Sequence, residues 1–196
     1  MESSAATPKA IKRHALRERR RALPSVAQLS ARDALPEILS KNIRLEDFAT
    51  VAGYLAGDGE IDPELLLSRF RAAGADILLP RTGPDGSMVL APEGTLAATG
   101  PAGIPEPTAA EIDPVAARQP AILLVPSVAL TPEGGRLGRG GGFYDRILPG
   151  LRAAGWRICG LCHDADLTND IPLETHDQPV DWCLTEKRLL QTGASR

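Results

Sequence analysis

The stretch that decides the fold is residues 121–146, which read AILLVPSVALTPEGGRLGRGGGFYDR. Its first six residues, 121–126, are a continuous apolar run, as is typical of a strand buried on both faces of a parallel sheet. A glycine-rich segment follows at 134–142, and a helix is predicted over 143–154, where Gly155 ends it. A strand, a glycine-rich loop and a helix in this order indicate one unit of an α/β fold.

Short apolar runs recur on both sides of this unit and alternate with helical patterns. Strands are predicted over residues 49–55, 76–80, 88–91, 156–162 and 180–184. Residues 92–120 show no clear period and are interpreted as loops with short edge strands. The sequence therefore predicts a single three-layer α/β domain over residues 7–190, with a mostly parallel sheet and helices on both faces. Flexible tails are expected at residues 1–6 and 191–196.

Three further helices are predicted ahead of the glycine-rich loop. The first has Thr7 as its N-cap and Pro8 as its first residue, and runs to about residue 22. The third begins at Asp62-Pro63 and ends at Gly74. The second follows Pro24 and should be kinked or ended by Pro36. Its predicted inner face consists of Val26, Leu29, Ala34, Leu35 and Ile38.

The composition excludes several classes of protein. The chain has 196 residues, of which 43% are hydrophobic and 24% charged, so it is neither disordered, collagen-like nor a coiled coil. No apolar run approaches the roughly 20 residues that span a bilayer. The N-terminus lacks an apolar signal core, and three cysteines fit a reducing compartment, so we expect a cytoplasmic protein without membrane partners.

The charge is unevenly distributed. Residues 1–21 carry seven Lys or Arg against Glu2 and Glu18, a net charge of +5, so the rest of the chain carries −8. A basic block on an acidic body can bind a polyanion such as nucleic acid or nucleotide phosphate. The alternative is a solvated helix face, which is the more frequent reason for a charge run on its own.

The glycine-rich segment is the strongest functional signal. Glycines allow backbone amides to approach a ligand closely, and a helix N-terminus attracts anions. Arg136 and Arg139 add charge-assisted hydrogen bonds suited to phosphate oxygens, and Asp145 is a candidate Mg²⁺ ligand. The segment is not a P-loop, because it lacks the Lys-Ser/Thr pair, and Phe143 and Asp145 break the dinucleotide-binding pattern.

A second cluster has metal-binding residue types. Cys159, Cys162 and His163 match the c-type haem attachment string, and His176 and Cys183 would complete a zinc set. Buried packing is the favoured interpretation of these cysteines, because positions three apart on a strand face opposite sides of the sheet.

Residues 136–146, RLGRGGGFYDR, closely resemble the signature of the 5-formyltetrahydrofolate cyclo-ligase family. Other pieces occur in the family's order: Lys9 with Lys12-Arg13, YLAGDGEI at 54–61, GIPEP at 103–107, and His176-Asp177 near the C-terminus. The glycine-rich signature is specific, whereas the other pieces are persuasive through their order. The resemblance covers essentially residues 9–187.

The resemblance implies ATP- and Mg²⁺-dependent cyclisation of 5-formyltetrahydrofolate to 5,10-methenyltetrahydrofolate, with release of ADP and phosphate. It implies that Leu55 and Glu60 bind the folate and that Asp145 and Asp177 hold Mg²⁺. It assigns catalytic roles to Arg136, Arg139 and Tyr144. The implied ATP-binding residues are Lys9, Arg13, Arg136, Leu137, Gly138, Arg139, Gly140, Gly141, Gly142, Phe143 and Tyr144.

Two interpretations therefore remain at this point. In the first, the chain is a monomeric enzyme whose partners are a reduced folate and ATP, without nucleic acid. In the second, it is a non-catalytic nucleotide- or RNA-binding relative of the same fold, as the basic N-terminal block would allow. RNA recognition usually stacks bases on aromatic side chains, and aromatic residues make up only 4% of this chain, so the enzyme is favoured.

Overall fold

The computed structural model describes residues 7–100 and 103–193. Its centre is a seven-stranded sheet with the order β11-β10-β9-β6-β1-β2-β3. The strands from β10 to β2 in this order are parallel, and the edge strands β11 and β3 are antiparallel to their neighbours. The sheet strands are β1 (Thr50–Ala52), β2 (Asp76–Thr82), β3 (Met88–Pro92), β6 (Ala121–Pro126), β9 (Arg157–Leu161), β10 (Trp182–Leu184) and β11 (Leu189–Gln191).

Two small hairpins accompany the sheet. The first joins β4 (Leu96–Thr99) to β5 (Pro105–Pro107), within the segment predicted to hold short edge strands. The second joins β7 (Ala129–Leu130) to β8 (Arg136–Leu137) and supports the base of the glycine-rich loop. The sequence signalled no strand at β7, β8 or β11, because two or three residues are too few to show a period of two.

The described residues form four α-helices around the sheet: α1 (Pro8–Arg21), α2 (Ser25–Ser40), α3 (Glu64–Ala72) and α4 (Phe143–Ala153). The first begins as predicted, with the Thr7 side chain accepting a hydrogen bond from the amide of Ala10. Among the described residues, no helix is both long enough and apolar enough to cross a membrane.

Side chains of β6 alternate between two cores, which makes the domain three-layered as predicted. Ile122 and Leu124 pack on the face covered by α2 and α3, whereas Leu123 and Val125 pack on the face covered by α4. All four side chains are fully buried. The continuous apolar run in the sequence is therefore explained by helices on both faces of a central parallel strand.

The predicted inner face and end of α2 were partly wrong. Val26 and Leu29 are 70% and 50% exposed, while the buried stripe runs through Ala31, Leu35 and Leu39. The helix does not end at Pro36 but continues to Ser40, since Leu35 and Leu39 on the last two turns pack in the core. Burial of these side chains outweighs the backbone hydrogen bond that proline cannot donate.

The predicted flexible tails fall mostly outside the described residues. Residues 1–6 and 194–196 lie outside the described part of the chain. Gln191, which was assigned to the C-terminal tail, pairs with Trp182 in the edge of the sheet, and the next residue, Thr192, is buried. The ordered domain therefore extends past residue 190.

Candidate active site

A cavity of about 610 Å³ opens at the carboxyl ends of the parallel strands. Such ends collect ligand-binding loops in open α/β sheets. Pro126 at the end of β6 lies in its wall, as do the segment following β1 and the last residues of β2. The predicted site residues in this wall are Lys9, Arg13, Leu55, Glu60, Arg136, Gly138, Arg139, Gly140, Gly141, Gly142, Phe143, Tyr144, Asp145 and Asp177.

Leu137 is the exception among the predicted site residues. Its side chain is 1% exposed and packs in a small apolar cluster with Leu16, Val128 and Ile171. This cluster fixes the glycine-rich loop from below and attaches it to α1. The side chain of Leu137 therefore supports the loop and does not face the cavity.

The glycine-rich loop adopts backbone conformations that side chains disfavour. Gly140 has φ 106° and Gly142 has φ 67°, and Gly142 is the N-cap of α4. A Cβ on Gly138 would lie 2.7 Å from Nη1 of Arg136, so a side chain at this position would displace that guanidinium. The loop brings main chain and the positive end of the α4 dipole to the cavity wall, an arrangement that favours an anion.

Arg136 is a buried cation at the cavity, with its side chain 2% exposed. Its Nη2 donates a 2.5 Å hydrogen bond to Asp145, and its guanidinium lies 5.8 Å from the centre of the Tyr144 ring. Among the described residues, its Nε is the one fully buried side-chain nitrogen or oxygen without a hydrogen-bond partner. The guanidinium carries a positive charge at the cavity wall, and this charge favours an anionic ligand there.

Helix α1 adds two cations to the same wall. The guanidinium of Arg13 donates from Nε to the carbonyl oxygen of Gly138 at 2.7 Å, which ties the helix to the glycine-rich loop. Lys9 is nearly buried and contacts Asp177 at 2.8 Å and Glu174 at 3.0 Å. Burial alone would lower the pKa of Lys9, but its bonds to these two carboxylates outweigh that effect and raise the pKa.

Most of the basic N-terminal block is neutralised by the body of the protein. Arg20 and Arg19 both pair with the buried carboxylate of Asp166, and Arg17 and Arg21 both pair with Asp58. The uneven charge distribution therefore reflects the docking of α1 onto an acidic surface.

Asp177 belongs to a small group of possible metal ligands. Glu174, His176 and Asp177 each offer a ligand atom within 4.8 Å of the others, the only such group in the described part of the chain. Burial would raise the pKa of Asp177, but the bond from Lys9 outweighs it and lowers the pKa, so the carboxylate is ionised at neutral pH. Asp145 and Asp177 both line the cavity, although 32 positions separate them in the sequence.

The turn after β1, which carries Glu60, forms another part of the cavity wall. Glu60 has a side chain that is 6% exposed, accepts a hydrogen bond from the Gly57 amide, and lies 3.7 Å from Nη1 of Arg139. Burial raises the pKa of Glu60, and the charge of Arg139 only partly offsets this. Arg139 also approaches Asp58 at 3.6 Å. One arginine of the glycine-rich loop therefore contacts the turn that was predicted to bind folate.

The alternative metal set of cysteines and histidines does not form in the described part of the chain, and the cysteines are buried, as the favoured interpretation has it. Cys159 packs in the core beneath α2, whereas Cys162 packs on the opposite face of the sheet, as their spacing on a strand predicts. Cys183 donates to the carbonyl of Thr131, and His163 contacts the carbonyl of Gly59. Burial raises the pKa of all three thiols, which keeps them protonated and inert.

Comparisons with known proteins agree with this geometry. A model of the 5-formyltetrahydrofolate cyclo-ligase family matches residues 5–186. A 5-formyltetrahydrofolate cyclo-ligase from Mycolicibacterium smegmatis is 32% identical over 183 residues, which cover 90% of this chain and 92% of that protein. Its counterpart from Escherichia coli K12 is 32% identical over 145 residues, which cover 71% of this chain and 79% of that protein.

A solved structure shows the same fold. The 5,10-methenyltetrahydrofolate synthetase of Aquifex aeolicus superposes with a TM-score of 0.80 at 24% identity, covering 97% of this chain and 95% of that one. The corresponding synthetase of Mycoplasma pneumoniae superposes with a TM-score of 0.74 at 16% identity, covering 92% and 99%. At these identities the likeness concerns the fold.

Proposed function

This chain belongs to the 5-formyltetrahydrofolate cyclo-ligase family, and from that premise we propose how it acts. It closes 5-formyltetrahydrofolate to 5,10-methenyltetrahydrofolate at the expense of ATP, with Mg²⁺, and releases ADP and phosphate. One observation carries the proposal. A single cavity has cations and a glycine-rich helix N-terminus in one part of its wall and an apolar, carboxylate-bearing surface in another, which suits a polyphosphate and a reduced pterin side by side.

The two reactants have to meet in that cavity. The formyl oxygen attacks the γ-phosphorus of ATP, and the bond from that phosphorus to the bridging oxygen breaks as ADP leaves. Nitrogen 10 of the folate then attacks the activated formyl carbon and loses its proton, and phosphate leaves with the former formyl oxygen. Catalysis of such a transfer depends chiefly on positioning and on charge stabilisation.

The chain's own residues divide these tasks. Arg136 and Arg139, which both line the cavity, stabilise negative charge on the transferred phosphoryl group. Lys9 and Arg13 hold the phosphates of ATP from α1. Tyr144 stays a neutral phenol because burial raises its pKa, so its hydroxyl can donate a hydrogen bond into the site.

The carboxylates Asp145 and Asp177 fit a divalent cation. Both are partly accessible and face the cavity, and Mg²⁺ takes one or two carboxylates together with phosphate oxygens and water. When bound there, Mg²⁺ neutralises charge on the phosphates. Without it, Arg136 and Lys9 hold these carboxylates in place.

Leu55 and Glu60 bind the folate. Leu55 supplies apolar contact for the pterin ring, and Glu60 accepts hydrogen bonds from its N–H groups. The free thiols and the reduced folate substrate both suit a cytoplasmic location.

The test is the absorbance band of methenyltetrahydrofolate. Purified protein is mixed with 5-formyltetrahydrofolate, ATP and Mg²⁺, and each component is omitted in turn. The band should rise only in the complete mixture. Product formed without ATP, or no product in any mixture, would contradict the proposed function.

A further inference from the structure

Glu106 is a carboxylate in the cavity wall that none of the roles above uses. It lies on β5, is 8% exposed and faces the same cavity as Glu60. Its Oε1 accepts two hydrogen bonds from Thr82, one from the amide at 3.1 Å and one from the hydroxyl at 2.6 Å. These two bonds fix the side chain on the end of β2 and determine where its second oxygen points.

The second oxygen has no partner. No donor in residues 7–100 and 103–193 bonds to Oε2 of Glu106, and no Lys, Arg or His of these residues lies within 4 Å of the carboxylate. Oε2 is also absent from the fully buried atoms that lack a hydrogen bond, so it keeps access to the cavity. An anchored carboxylate therefore presents one free acceptor to whatever fills the cavity.

The backbone around Glu106 is shaped to hold this carboxylate. A Cβ on Gly100 would lie 2.0 Å from Oε1, so only glycine leaves room for the side chain there. Two residues before Glu106, Ile104 reaches across to the turn of Glu60, since a Cβ on Gly57 would lie 3.4 Å from its Cδ1. The segment that carries Glu106 therefore adjoins the turn that carries Glu60.

The surrounding wall is apolar. Leu79, Pro80, Met88 and Ile104 line the cavity together with Glu106. An accessible acceptor between apolar walls favours a ligand that places a donor on it in place of water and covers the apolar surface. The ligand that fits is a flat ring with apolar faces and N–H groups along its edge, which describes the reduced pterin of a folate.

We propose that Glu106 is a second pterin-binding carboxylate, which acts with Glu60 to determine specificity for the reduced folate. The inference rests on the proposed function and adds to it a residue outside the glycine-rich signature. Thr82 acts as the positioning residue of this carboxylate. The role proposed for Glu106 and Thr82 does not depend on the cationic part of the cavity wall, to which the proposed function assigns the phosphates of ATP.

The experiment compares Glu106→Gln with Thr82→Val in the methenyl absorbance assay. Glutamine keeps an acceptor for Thr82 but can turn an NH₂ group toward the N–H edge of the pterin. We expect the Michaelis constant for 5-formyltetrahydrofolate to rise roughly ten-fold or more, as loss of a charged acceptor does. The Michaelis constant for ATP should change less than about two-fold. Thr82→Val removes one of the two hydrogen bonds that position the carboxylate but keeps Oε2, so its folate constant should rise in the same direction as that of Glu106→Gln, by a smaller factor.

Calorimetry measures the binding of 5-formyltetrahydrofolate in the absence of ATP. The dissociation constant of Glu106→Gln should rise by the same factor as its Michaelis constant. If the variant is unfolded by circular dichroism, Glu106→Asp takes its place, because the shortened carboxylate should fail to reach the ring. An unchanged folate constant, or a rise in the ATP constant instead, would overturn the inference. Inactive wild-type protein would contradict the proposed function itself, which is a separate result.

Discussion

Nζ of Lys9 lies 2.8 Å from both carboxylate oxygens of Asp177, a residue 168 positions away in the chain. The contact joins the first helix to the loop before β10 in the wall of the cavity. It brings a predicted phosphate-binding residue together with a predicted metal ligand. A lysine and an aspartate, each of which is common on protein surfaces, therefore lie together at one site.

The first prediction concerns the cations of α1. Lys9→Ala and Arg13→Ala should each raise the Michaelis constant for ATP far more than that for folate. The loss of a charge-assisted bond costs about 1.5–3 kcal/mol, which is roughly ten-fold or more in affinity. Initial rates at varied ATP and at varied folate provide the measurement.

Lys12→Ala is the matched control for these two variants. Lys12 lies on the same helix and pairs with Asp170, whose side chain is 90% exposed, but it does not line the cavity. Its replacement should leave both Michaelis constants nearly unchanged. Equal effects of Lys9→Ala and Lys12→Ala would indicate a diffuse positive field rather than a defined phosphate site.

The second prediction concerns the metal. Asp145→Asn and Asp177→Asn should each raise the Mg²⁺ concentration needed for half-maximal rate, because each removes a charged oxygen ligand. The double variant should be non-additive, since ligands of one ion are coupled. Asp170→Asn serves as the control, as this exposed aspartate also pairs with α1. A lower melting temperature with unchanged Mg²⁺ dependence in Asp177→Asn would leave this residue only its bond to Lys9.

The third prediction concerns Glu60 and pH. Because burial raises its pKa, ionised Glu60 destabilises the folded state at every pH above both its unfolded and its folded pKa. Below the ordinary value of 4.5 the carboxyl is protonated in both states, and this cost is absent. Glu60→Gln should therefore raise the melting temperature at neutral pH, and this stabilisation should disappear below pH 4.5. The same variant should raise the Michaelis constant for folate, because Glu60 is proposed to bind it.

Glu37→Gln is the control for Glu60→Gln, because Glu37 has a side chain that is 76% exposed, on α2. The melting temperature of Glu37→Gln should differ little from that of wild type, both at neutral pH and below pH 4.5. A Glu60→Gln variant that is less stable at neutral pH would show that the contact with Arg139 outweighs the burial of the charge.

The fourth prediction concerns the packing of the glycine-rich loop. Gly138→Ala should displace the buried Arg136 side chain, which lies 2.7 Å from the new Cβ, and should lower kcat as well as stability. Gly150→Ala on α4 is the matched control, since nothing lies within 4 Å of its Cβ. That change should stabilise the helix by about 0.5–1 kcal/mol and leave kcat unchanged. Comparable kcat values in Gly138→Ala and Gly150→Ala would mean that the position of Arg136 does not affect the chemical step.

The sequence predicted the fold where local signals were strong. The bounds of β6 and the start of α4 agree with the prediction, because an apolar run and a glycine cap are unambiguous. The inner face of α2 was misassigned because apolar residues occupy more than one side of that helix, and only tertiary packing selects the face of Leu35. A strand as short as β11 has too few residues to be detected.

The residues of the candidate site were also predictable only in part. The glycine-rich loop and its arginines were predictable because they are contiguous, whereas Asp177 and Glu60 were found through resemblance to a family. Glu106 lies in the GIPEP piece of the family resemblance, which implies no role for it, and Arg17 lines the cavity without a signal that marks it as functional. Their place depends on strand pairing and on the docking of α1, which join residues far apart in the chain.

The last prediction concerns the buried ion pair that docks α1. Arg20 and Asp166 are 2% and 1% exposed, and their side chains meet at 2.6 Å. Arg20 also donates to the carbonyl oxygens of Ser127 and Val128, just beyond the end of β6. Removing one partner of a buried pair leaves an uncompensated charge, so Asp166→Asn should lower the free energy of unfolding by about 3–5 kcal/mol.

The matched control for Asp166→Asn is an exposed pair. Arg71 and Glu93 also meet at 2.6 Å, but their side chains are 41% and 31% exposed, so Glu93→Gln should cost at most about 1 kcal/mol. Urea unfolding of both variants gives the comparison. Because α1 carries Lys9 and Arg13, Asp166→Asn should also raise the Michaelis constant for ATP at temperatures where it is still folded. Equal unfolding free energies in the two variants would mean that α1 is held by its apolar contacts, and an unchanged ATP constant would mean that its cations reach the phosphates without this anchor.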